Sequence, residues 1–288
     1  MKMSSMKKIL LILALVFCYG AMAQERLIIL HTNDTHSCIE PEKNGNAGAV
    51  NRALLLEHLR DSLGSGNVLL FDCGDFSQGS LYYNTFKGAV EVDIMNAMDY
   101  DACTIGNHEF DFGLDNMARL FAMASFPVVC ANYDFTGTVC EGLVKPYTVI
   151  ERGGKRVGVF GLSPDPKGLI AKEYYEGVEF ISPVEAANNA VKALEKEGCD
   201  VIVCLSHLGW KIGNEYNDER LAALNPDVKL PAESIIPVYR SDGSGTTFVF
   251  TDYFEEPLVY KNKAGKDVLM QQMGKNGRYL GIVTLTFK

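Results

Sequence analysis

Residues 27–36, with the sequence LIILHTNDTH, decide the fold that this chain predicts. Leu27 to Leu30 have the length and the apolar composition of a buried strand, and a polar segment with Asp34 and His36 follows directly. Five further short runs have the same apolar character: 68–71, 102–105, 128–130, 157–160 and 201–205. Helical patterns lie between these runs. The alternation predicts an α/β fold with a largely parallel sheet.

One of these helices is marked at both ends. Its start, 182–185 (Ser-Pro-Val-Glu), predicts a capping box with a proline in the first turn, and Gly198 ends the pattern. The apolar stripe between them consists of Val184, Ala187, Val191 and Leu194. The helix leads into the run at 201–205. Because the carboxyl ends of parallel strands meet at one edge of a sheet, we expect the loops that follow the strands to gather there.

Residues 1–23 predict a signal peptide. Three lysines precede the apolar run 9–17, and Ala-Met-Ala at 21–23 provides a small-residue cleavage site. A transmembrane anchor is the rival interpretation, but the run is shorter than the roughly 20 residues that span a bilayer. Cys18 suggests lipid attachment, although Phe17 fits poorly before a modified cysteine. We expect export to the periplasm or cell envelope, with no transmembrane span in the mature chain and a lipoprotein less favoured.

Composition limits the remaining possibilities. Residues 24–288 contain no linker-like stretch and suit one large domain. The formal net charge is −9, and removal of the three leader lysines takes it to −12, so the surface should repel polyanions such as nucleic acid. Seven of the eight cysteines lie beyond the leader without C-x-x-C spacing. Neither a disulfide framework nor a structural zinc site is expected.

Polar segments follow four of the predicted strands. They are 31–36 (HTNDTH), 72–75 (DCGD), 106–111 (GNHEFD) and 206–209 (SHLG). Each alone is ordinary turn chemistry. Together, at the ends of successive strands, their carboxylate, imidazole and amide groups predict a metal site. Two divalent ions about 3.5 to 4 Å apart need a bridging carboxylate, and such a pair can ionise a water and clamp a phosphoryl group.

The spacing of these residues suggests a role for each. Asp75 is the expected bridge between the two ions. Asp34 and His36 lie two residues apart on an extended segment, so both can reach the first ion, while Asn107 and His207 would face the second.

His108 would then be free of the metals, within one turn of Asp111. A histidine over the leaving oxygen, oriented by a carboxylate, is a candidate general acid. The order D-x-H, G-D, G-N-H-E and a later histidine resembles the calcineurin-like metallophosphoesterases. LIILHTNDTH, GNHEFDFG and QQMGKNGRYLGIVTL resemble the catalytic domain of bacterial 5'-nucleotidases in particular. The resemblance covers roughly 26–224 and resumes near Tyr253.

This resemblance implies a four-layer α/β/β/α sandwich, a dinuclear Mn, Zn, Mg or Co centre, and hydrolysis of phosphate esters, commonly of nucleotides. It carries over the same residue roles. The matching metal ligands are Asp34, His36, Asp75, Asn107 and His207, and the matching acid dyad is His108 with Asp111.

One motif of that family is missing. Members continue after a stretch like NDERLAAL with a strand and a Gly-Gly-His-x-His loop, whose two histidines complete the metal shells. This chain has no histidine after His207. Each ion is left with three protein ligands, counting Asp75 twice, so we expect weaker binding. The candidate substitutes are Asp242, Asp252, Glu255 and Glu256.

Residues 225–253 are atypical, and 229–253 resemble a second family. LPAESIIPVYRSDGSGTTFVFTDY resembles the phosphate-binding loop of the periplasmic phosphate-binding proteins of ABC transporters. The positions that would contact inorganic phosphate are Arg240, Asp242, Ser244, Gly245 and Thr246. Backbone N–H groups at a helix start, hydroxyls and a guanidinium favour an oxyanion. The alternative is a polar loop with an ordinary helix cap. The juxtaposition suggests a transplanted segment, natural or engineered.

Three interpretations therefore compete. The four retained motifs favour a metal-dependent hydrolase of the 5'-nucleotidase type, acting on a nucleotide or other phosphate monoester. The missing histidines and the loop from Arg240 to Thr246 suggest a non-catalytic phosphate-binding protein. Loss of a core strand suggests an unstable domain. The resemblance implies a further C-terminal domain that stacks on the base, and we do not expect that domain within residues 1–288. We expect a separate C-terminal-domain partner, a truncated chain or a broader phosphoesterase.

Overall fold

The computed structural model describes residues 25–43, 45–209, 258–261, 267–270 and 280–287. The predicted leader 1–23 and the atypical segment 225–253 lie outside these residues. So do the expected phosphate contacts, Arg240, Asp242, Ser244, Gly245 and Thr246.

Thirteen strands and five α-helices make up the described part of the chain. The strands are β1 (Glu25–Thr32), β2 (Val68–Asp72), β3 (Ala102–Cys103), β4 (Val128–Val129), β5 (Tyr133–Asp134), β6 (Val144–Lys145), β7 (Tyr147–Arg152), β8 (Lys155–Leu162), β9 (Glu179–Phe180), β10 (Val201–Ser206), β11 (Leu258–Lys261), β12 (Asp267–Met270) and β13 (Gly281–Phe287). The helices are α1 (Ala49–Leu63), α2 (Leu81–Phe86), α3 (Ala89–Ala97), α4 (Gly113–Met123) and α5 (Pro183–Lys196). Short 3-10 turns occur at Ser65–Asn67, His108–Phe110 and Lys172–Tyr174. All six predicted strands are confirmed.

Two larger sheets carry the architecture. The first has the order β13-β1-β2-β3-β4-β6. Its strands β1, β2, β3, β4 and β6 run parallel, and β13 pairs antiparallel with β1. The second has the order β10-β8-β7, with β10 parallel and β7 antiparallel to β8. Two small pairs, β11-β12 and β5-β9, complete the described strands.

Alternate residues of β1 show how the layers stack. Leu27 and Ile29 belong to a core that also contains Val157 and Val159 of β8, so this core lies between the two sheets. Leu30, on the opposite face of β1, packs in a second core built with α1, α3 and α4. A third core joins β8 to α5. The order helix, sheet, sheet, helix confirms the expected α/β/β/α sandwich.

The two sheets are joined at their carboxyl edges. Gly161 of β8 accepts a hydrogen bond from the Ala131 amide at 2.8 Å. The Asn132 side chain makes two hydrogen bonds with the Ser163 backbone. Its Oδ1 accepts from the Ser163 amide at 2.8 Å, and its Nδ2 donates to the Ser163 carbonyl at 2.7 Å. The Ser163 hydroxyl donates to the Ile105 carbonyl at 2.5 Å. This junction fixes the end of the second sheet against the loops of the first.

Helix α5 departs from its sequence prediction in two details. Ser182 occupies the N-cap position and Pro183 the first turn, but the Ser182 side chain makes no capping hydrogen bond, so the predicted capping box is wrong. Val184 is 51% exposed, which places it outside the apolar stripe. The fully buried residues are Ala186, Ala190 and Leu194. The rest of the predicted stripe packs, partly buried, against the same core.

The cysteines of the described residues are not paired with one another. All seven cysteines among the described residues are free thiols: Cys38, Cys73, Cys103, Cys130, Cys140, Cys199 and Cys204. Burial raises the pKa of Cys130 to about 11, so that thiol stays protonated at neutral pH.

Within the described ranges, no helix has both the length and the hydropathy to cross a membrane.

The junction of the sheets gives a test of the fold. A Cβ atom added to Gly161 would lie 2.0 Å from the Val129 carbonyl oxygen and 2.2 Å from Thr104 Oγ1. We therefore expect Gly161→Ala to lower the free energy of unfolding by about 2 kcal/mol, measured by urea denaturation. The control is Gly66→Ala, because a Cβ at Gly66 meets nothing within 4 Å. Equal stability of the two variants would contradict the close approach of the sheets.

Candidate metal centre

Four loops meet where β1, β2, β3 and β10 end. The loop after β1 carries Asp34 and His36, the loop after β2 carries Asp75, the loop after β3 carries His108, and His207 follows β10 directly. Three of these strands belong to the first sheet and β10 to the second. The junction of the sheets therefore brings residues separated by up to 173 positions in the sequence into one site.

The loop with Asp34 and His36 is held in an unusual backbone conformation. Asp34, His36 and Ser37 have φ angles of 49°, 43° and 51°, in the left-handed region that costs a non-glycine residue roughly 1–2 kcal/mol. Three backbone hydrogen bonds to the β2 loop hold it. The donors are the amides of Asp34, His36 and Ser37, which bond the carbonyls of Gly74, Asp75 and Phe76 at 3.0, 3.0 and 2.9 Å. Such strain at polar residues is typical of a functional site.

Asp75 lies at the centre of the site. Its side chain is almost fully buried, and its own φ of 55° is also left-handed. Oδ1 accepts from the His108 amide at 2.9 Å, and Oδ2 lies 3.2 Å from His207 Nε2. Gly106 makes this approach possible, because a Cβ there would lie 2.1 Å from Asp75 Oδ1.

The two imidazoles beside the carboxylates have defined orientations. Nδ1 of His207 lies 2.9 Å from the Cys73 carbonyl, and Nδ1 of His36 lies 3.3 Å from the Ser77 carbonyl. A carbonyl can only accept, so each Nδ1 carries the hydrogen. Nε2 is left facing the carboxylates, at 3.2 Å from Asp34 Oδ1 for His36 and 4.0 Å from the same atom for His207. The hydrogen bond at Nδ1 holds each imidazole with Nε2 toward the carboxylates, the orientation that a metal ligand would need.

The charges of these groups are strongly linked. Burial lowers the pKa of His207, but its hydrogen bond with Asp75 and the Asp75 charge outweigh burial and raise it well above the ordinary value. Burial raises the pKa of Asp75, and the same hydrogen bond and the His207 charge outweigh it and lower the pKa. Each of the two shifts favours the charged form of its group. Binding of a metal to such a histidine releases its proton, so affinity rises with pH.

The donor atoms form two groups that share Asp75. In one group, ligand atoms of His36, Asp75 and His108 lie within 4.8 Å of one another; in the other, those of Asp34, Asp75 and His207 do. Carboxylate oxygens and imidazole nitrogens suit Zn, Mn and Co, so the donor set fits a pair of divalent ions with Asp75 between them. Asp34 lies within 4.0 Å of both His36 and His207, which differs from its expected pairing with His36 alone.

Asn107 and His108 begin the 3-10 turn after β3. Asn107 is half-buried, and its backbone is held between Gly106 and His108, both of which contact Asp75. His108 Nδ1 lies 3.0 Å from Asp111 Oδ2, as expected for an oriented pair. Burial lowers the pKa of His108, but the Asp111 hydrogen bond and the Asp75 charge reverse this and raise it. The sequence predicts a His108 that lies apart from the metals, yet its ring centroid is 5.4 Å from that of His36.

Glu109 is a residue of the site that the sequence pattern does not assign. Its side chain is 1% exposed and accepts three backbone hydrogen bonds. The donors are the amides of Asp75 at 3.0 Å, Ser77 at 3.1 Å and Gly106 at 2.7 Å. Glu109 therefore ties the β2 loop to the β3 loop beside Asp75. Its only sequence signal is its place next to Asn107 and His108.

Comparisons with known proteins agree with this geometry. A model of the family described as calcineurin-like phosphoesterase matches residues 27–232. A probable 5'-nucleotidase of Treponema pallidum (strain Nichols) is 34% identical over 271 residues, covering 91% of this chain and 45% of that protein. A snake venom 5'-nucleotidase of Gloydius brevicauda is 30% identical over 297 residues, covering 97% of this chain and 49% of that protein.

A solved structure shows the same likeness. The crystal structure of a 5'-nucleotidase precursor from Thermus thermophilus superposes with a TM-score of 0.70 at 31% identity, covering 91% of this chain and 52% of that one. The chain spans about half the length of the relatives it matches. Enzymes of the matched family work with two metal ions. By the extent of the family match, this chain belongs to the calcineurin-like phosphoesterases.

Proposed function

We propose that this chain hydrolyses phosphate monoesters, with 5'-nucleotides as the substrate class, using two divalent metal ions. The observation that carries the proposal is the sharing of Asp75 by two groups of ligand atoms at the carboxyl edges of two sheets. The named activity of the relatives supports the substrate class. Because the chain spans only about half of those relatives, the activity of the whole protein is part of the proposal.

The proposed ligands divide between the two ions through Asp75. As the sequence predicts, Asp34 and His36 serve one ion, Asn107 and His207 serve the other, and Asp75 serves both. Asp34 also shares a group of ligand atoms with Asp75 and His207, so it can reach either ion. When bound, a pair of divalent ions lowers the pKa of a water and offsets the charge of a phosphoryl group. Mn, Zn, Mg and Co all fit this set of oxygen and nitrogen donors.

His108 is proposed as the acid that protonates the leaving oxygen, with Asp111 as its orienting partner. The Asp111 carboxylate holds Nδ1 at 3.0 Å, so Nε2 is the nitrogen left to transfer a proton. Burial lowers the pKa of His108, but the Asp111 hydrogen bond and the Asp75 charge raise it overall, in the direction that favours the protonated form an acid needs. His108 also lies in a group of ligand atoms, so its removal must be tested for metal content as well as for turnover.

The absence of the Gly-Gly-His-x-His motif from the sequence should weaken metal binding. With three protein ligands for each ion, we expect metal to be lost on dialysis more readily than in relatives that carry the loop. The alternative, a non-catalytic phosphate-binding protein using Arg240, Asp242, Ser244, Gly245 and Thr246, is not favoured by the comparisons. Those five residues stay candidates for phosphate contact.

The location and partners are proposed in the same way. We propose that residues 1–23 direct export to the periplasm or cell envelope, and that 24–288 form the metallophosphoesterase domain. A separate nucleotidase C-terminal-domain protein is one candidate partner, beside the alternatives of a longer natural chain and of a broader phosphoesterase. Amino-terminal sequencing of the mature protein tests the first point, since Gln24 is its expected first residue.

Turnover is the first test of the proposed function. We expect the chain with added Mn to release phosphate from AMP and p-nitrophenyl phosphate, and EDTA to abolish the activity. His108→Ala should lower kcat by about 10²- to 10⁴-fold while metal content, measured by plasma emission, stays unchanged. The control is His58→Ala, because His58 is exposed on α1.

Two results would count against the assignment. Phosphate release no faster than in buffer would reject hydrolysis. A His108→Ala variant that loses an equivalent of metal would make His108 a ligand instead of the acid.

Glu109 gives a test that is independent of turnover. In Glu109→Gln the amide group cannot accept all three backbone hydrogen bonds, so the loops with Asp75 and Asn107 should loosen. We expect Mn affinity, measured by isothermal titration, to fall by about 10- to 100-fold. Glu57→Gln is the control, since Glu57 is exposed on α1. An unchanged Mn affinity in Glu109→Gln would show that Glu109 does not organise the centre.

A further inference from the structure

A second buried carboxylate lies behind the loop that carries His36. Glu91, in the first turn of α3, is 4% exposed. Its Oε1 accepts a hydrogen bond from the Ser37 hydroxyl, and Ser37 is the residue directly after His36. The Ser37 hydroxyl also lies 2.5 Å from that of Ser80, which caps α2 by accepting from the Tyr83 amide. Ser37 thus joins the proposed metal loop to the starts of two helices.

The other side of Glu91 faces a small cavity. Its Oε2 is buried and makes no hydrogen bond with the described residues. Two guanidinium nitrogens of Arg52, Nε and Nη1, are also buried and also make no hydrogen bond with the described residues. Arg52 and Glu91 both line a cavity of about 10 Å³ together with Thr35 and Ser37. The carboxylate and the guanidinium therefore share one cavity as opposite charges without a direct contact.

The size and lining of this cavity suit a single water. A cavity of about 10 Å³ is close to the space that one water occupies, and a buried water makes about three hydrogen bonds. One water can donate to Glu91 Oε2 and accept from Arg52. A bridge of this kind satisfies polar groups that would otherwise cost free energy when buried. It also fixes the Glu91 carboxylate on the side opposite Ser37.

We propose that Glu91, braced by Arg52 through a one-water cavity, is a positioning residue that holds His36 for metal binding. His36 and Ser37 both have left-handed backbones, so the loop needs contacts that outweigh its strain. The His36 amide bonds the Asp75 carbonyl, and the Ser37 side chain bonds Glu91. His36 is held from both sides. The inference rests on the proposed function, because it assigns a role toward the metal.

The two groups of ligand atoms make this role selective. His36 belongs to only one of them, the group with Asp75 and His108. Loss of the Glu91 contact should therefore weaken one of the two ions and leave the ion between Asp75 and His207 in place. A residue that only supports helix packing would lower the melting temperature without separating the two ions.

The test is a titration of metal-free protein with Mn²⁺, followed by electron paramagnetic resonance. The full chain should bind two ions with the signal of a coupled pair. We expect Glu91→Leu and Ser37→Ala each to weaken one ion by about 10- to 100-fold, and to give a single-ion signal at substoichiometric Mn²⁺. Glu91→Gln should stay within about threefold of the natural chain, because its amide oxygen still accepts from Ser37. The double variant should be no weaker than either single variant, since both remove one contact.

The control variant is Asp93→Leu, which alters an exposed carboxylate on the same helix. Melting curves without metal show whether each variant folds, and if Glu91→Leu does not, Ser37→Ala decides alone because it removes only a hydroxyl. Two tightly bound ions in Ser37→Ala would overturn the positioning role and leave the proposed function standing. No Mn²⁺ binding by the natural chain would overturn both.

Discussion

The junction of the two sheets at their carboxyl edges is the contact on which the rest of the structure depends. Gly161 allows β8 to approach Val129, because it has no side chain. The two hydrogen bonds between Asn132 and Ser163 then fix the end of the second sheet. His207 follows β10 in that sheet, and its Nδ1 bonds the Cys73 carbonyl of the first sheet. Neither sheet alone holds a complete set of donors. The metal centre is therefore a product of how the layers pack.

Concentrating carboxylates in one buried place is unfavourable unless each has partners. Three carboxylates in or beside the centre, Asp34, Asp75 and Glu109, are less than 10% exposed. Hydrogen bonds from backbone amides stabilise part of this negative charge. Glu109 accepts three such hydrogen bonds and Asp75 accepts one. A histidine side chain stabilises another part of it. The hydrogen bond and the charge interaction between His207 and Asp75 raise the pKa of His207 and lower that of Asp75. A pair of divalent cations at this place would supply the remaining positive charge.

Local signals in the sequence predict six of the thirteen described strands and place the proposed donors in the loops that follow four of them. Runs such as 27–30 and 201–205 show their burial by composition alone, and the polar residues that follow them are ligand types. Glu109 and Glu91 could not be found in this way, since Glu109 joins Gly106 to Asp75 and Ser77 more than 30 residues away, and Glu91 bonds Ser37, also more than 30 residues away. The same limit applies to Val184, whose helical spacing suggested burial although its side chain is exposed in the folded chain. Asp34 between two histidines is likewise a property of the folded loops.

The central claim is that two divalent ions lie on either side of Asp75. Anomalous diffraction at the manganese edge, from crystals of the full chain grown with Mn²⁺, measures this directly. We expect two peaks within bonding distance of the Asp75 carboxylate, one beside His36 and one beside His207. A map with no peak at Asp75, or with a single peak bound by only one sheet, would contradict a shared dinuclear centre.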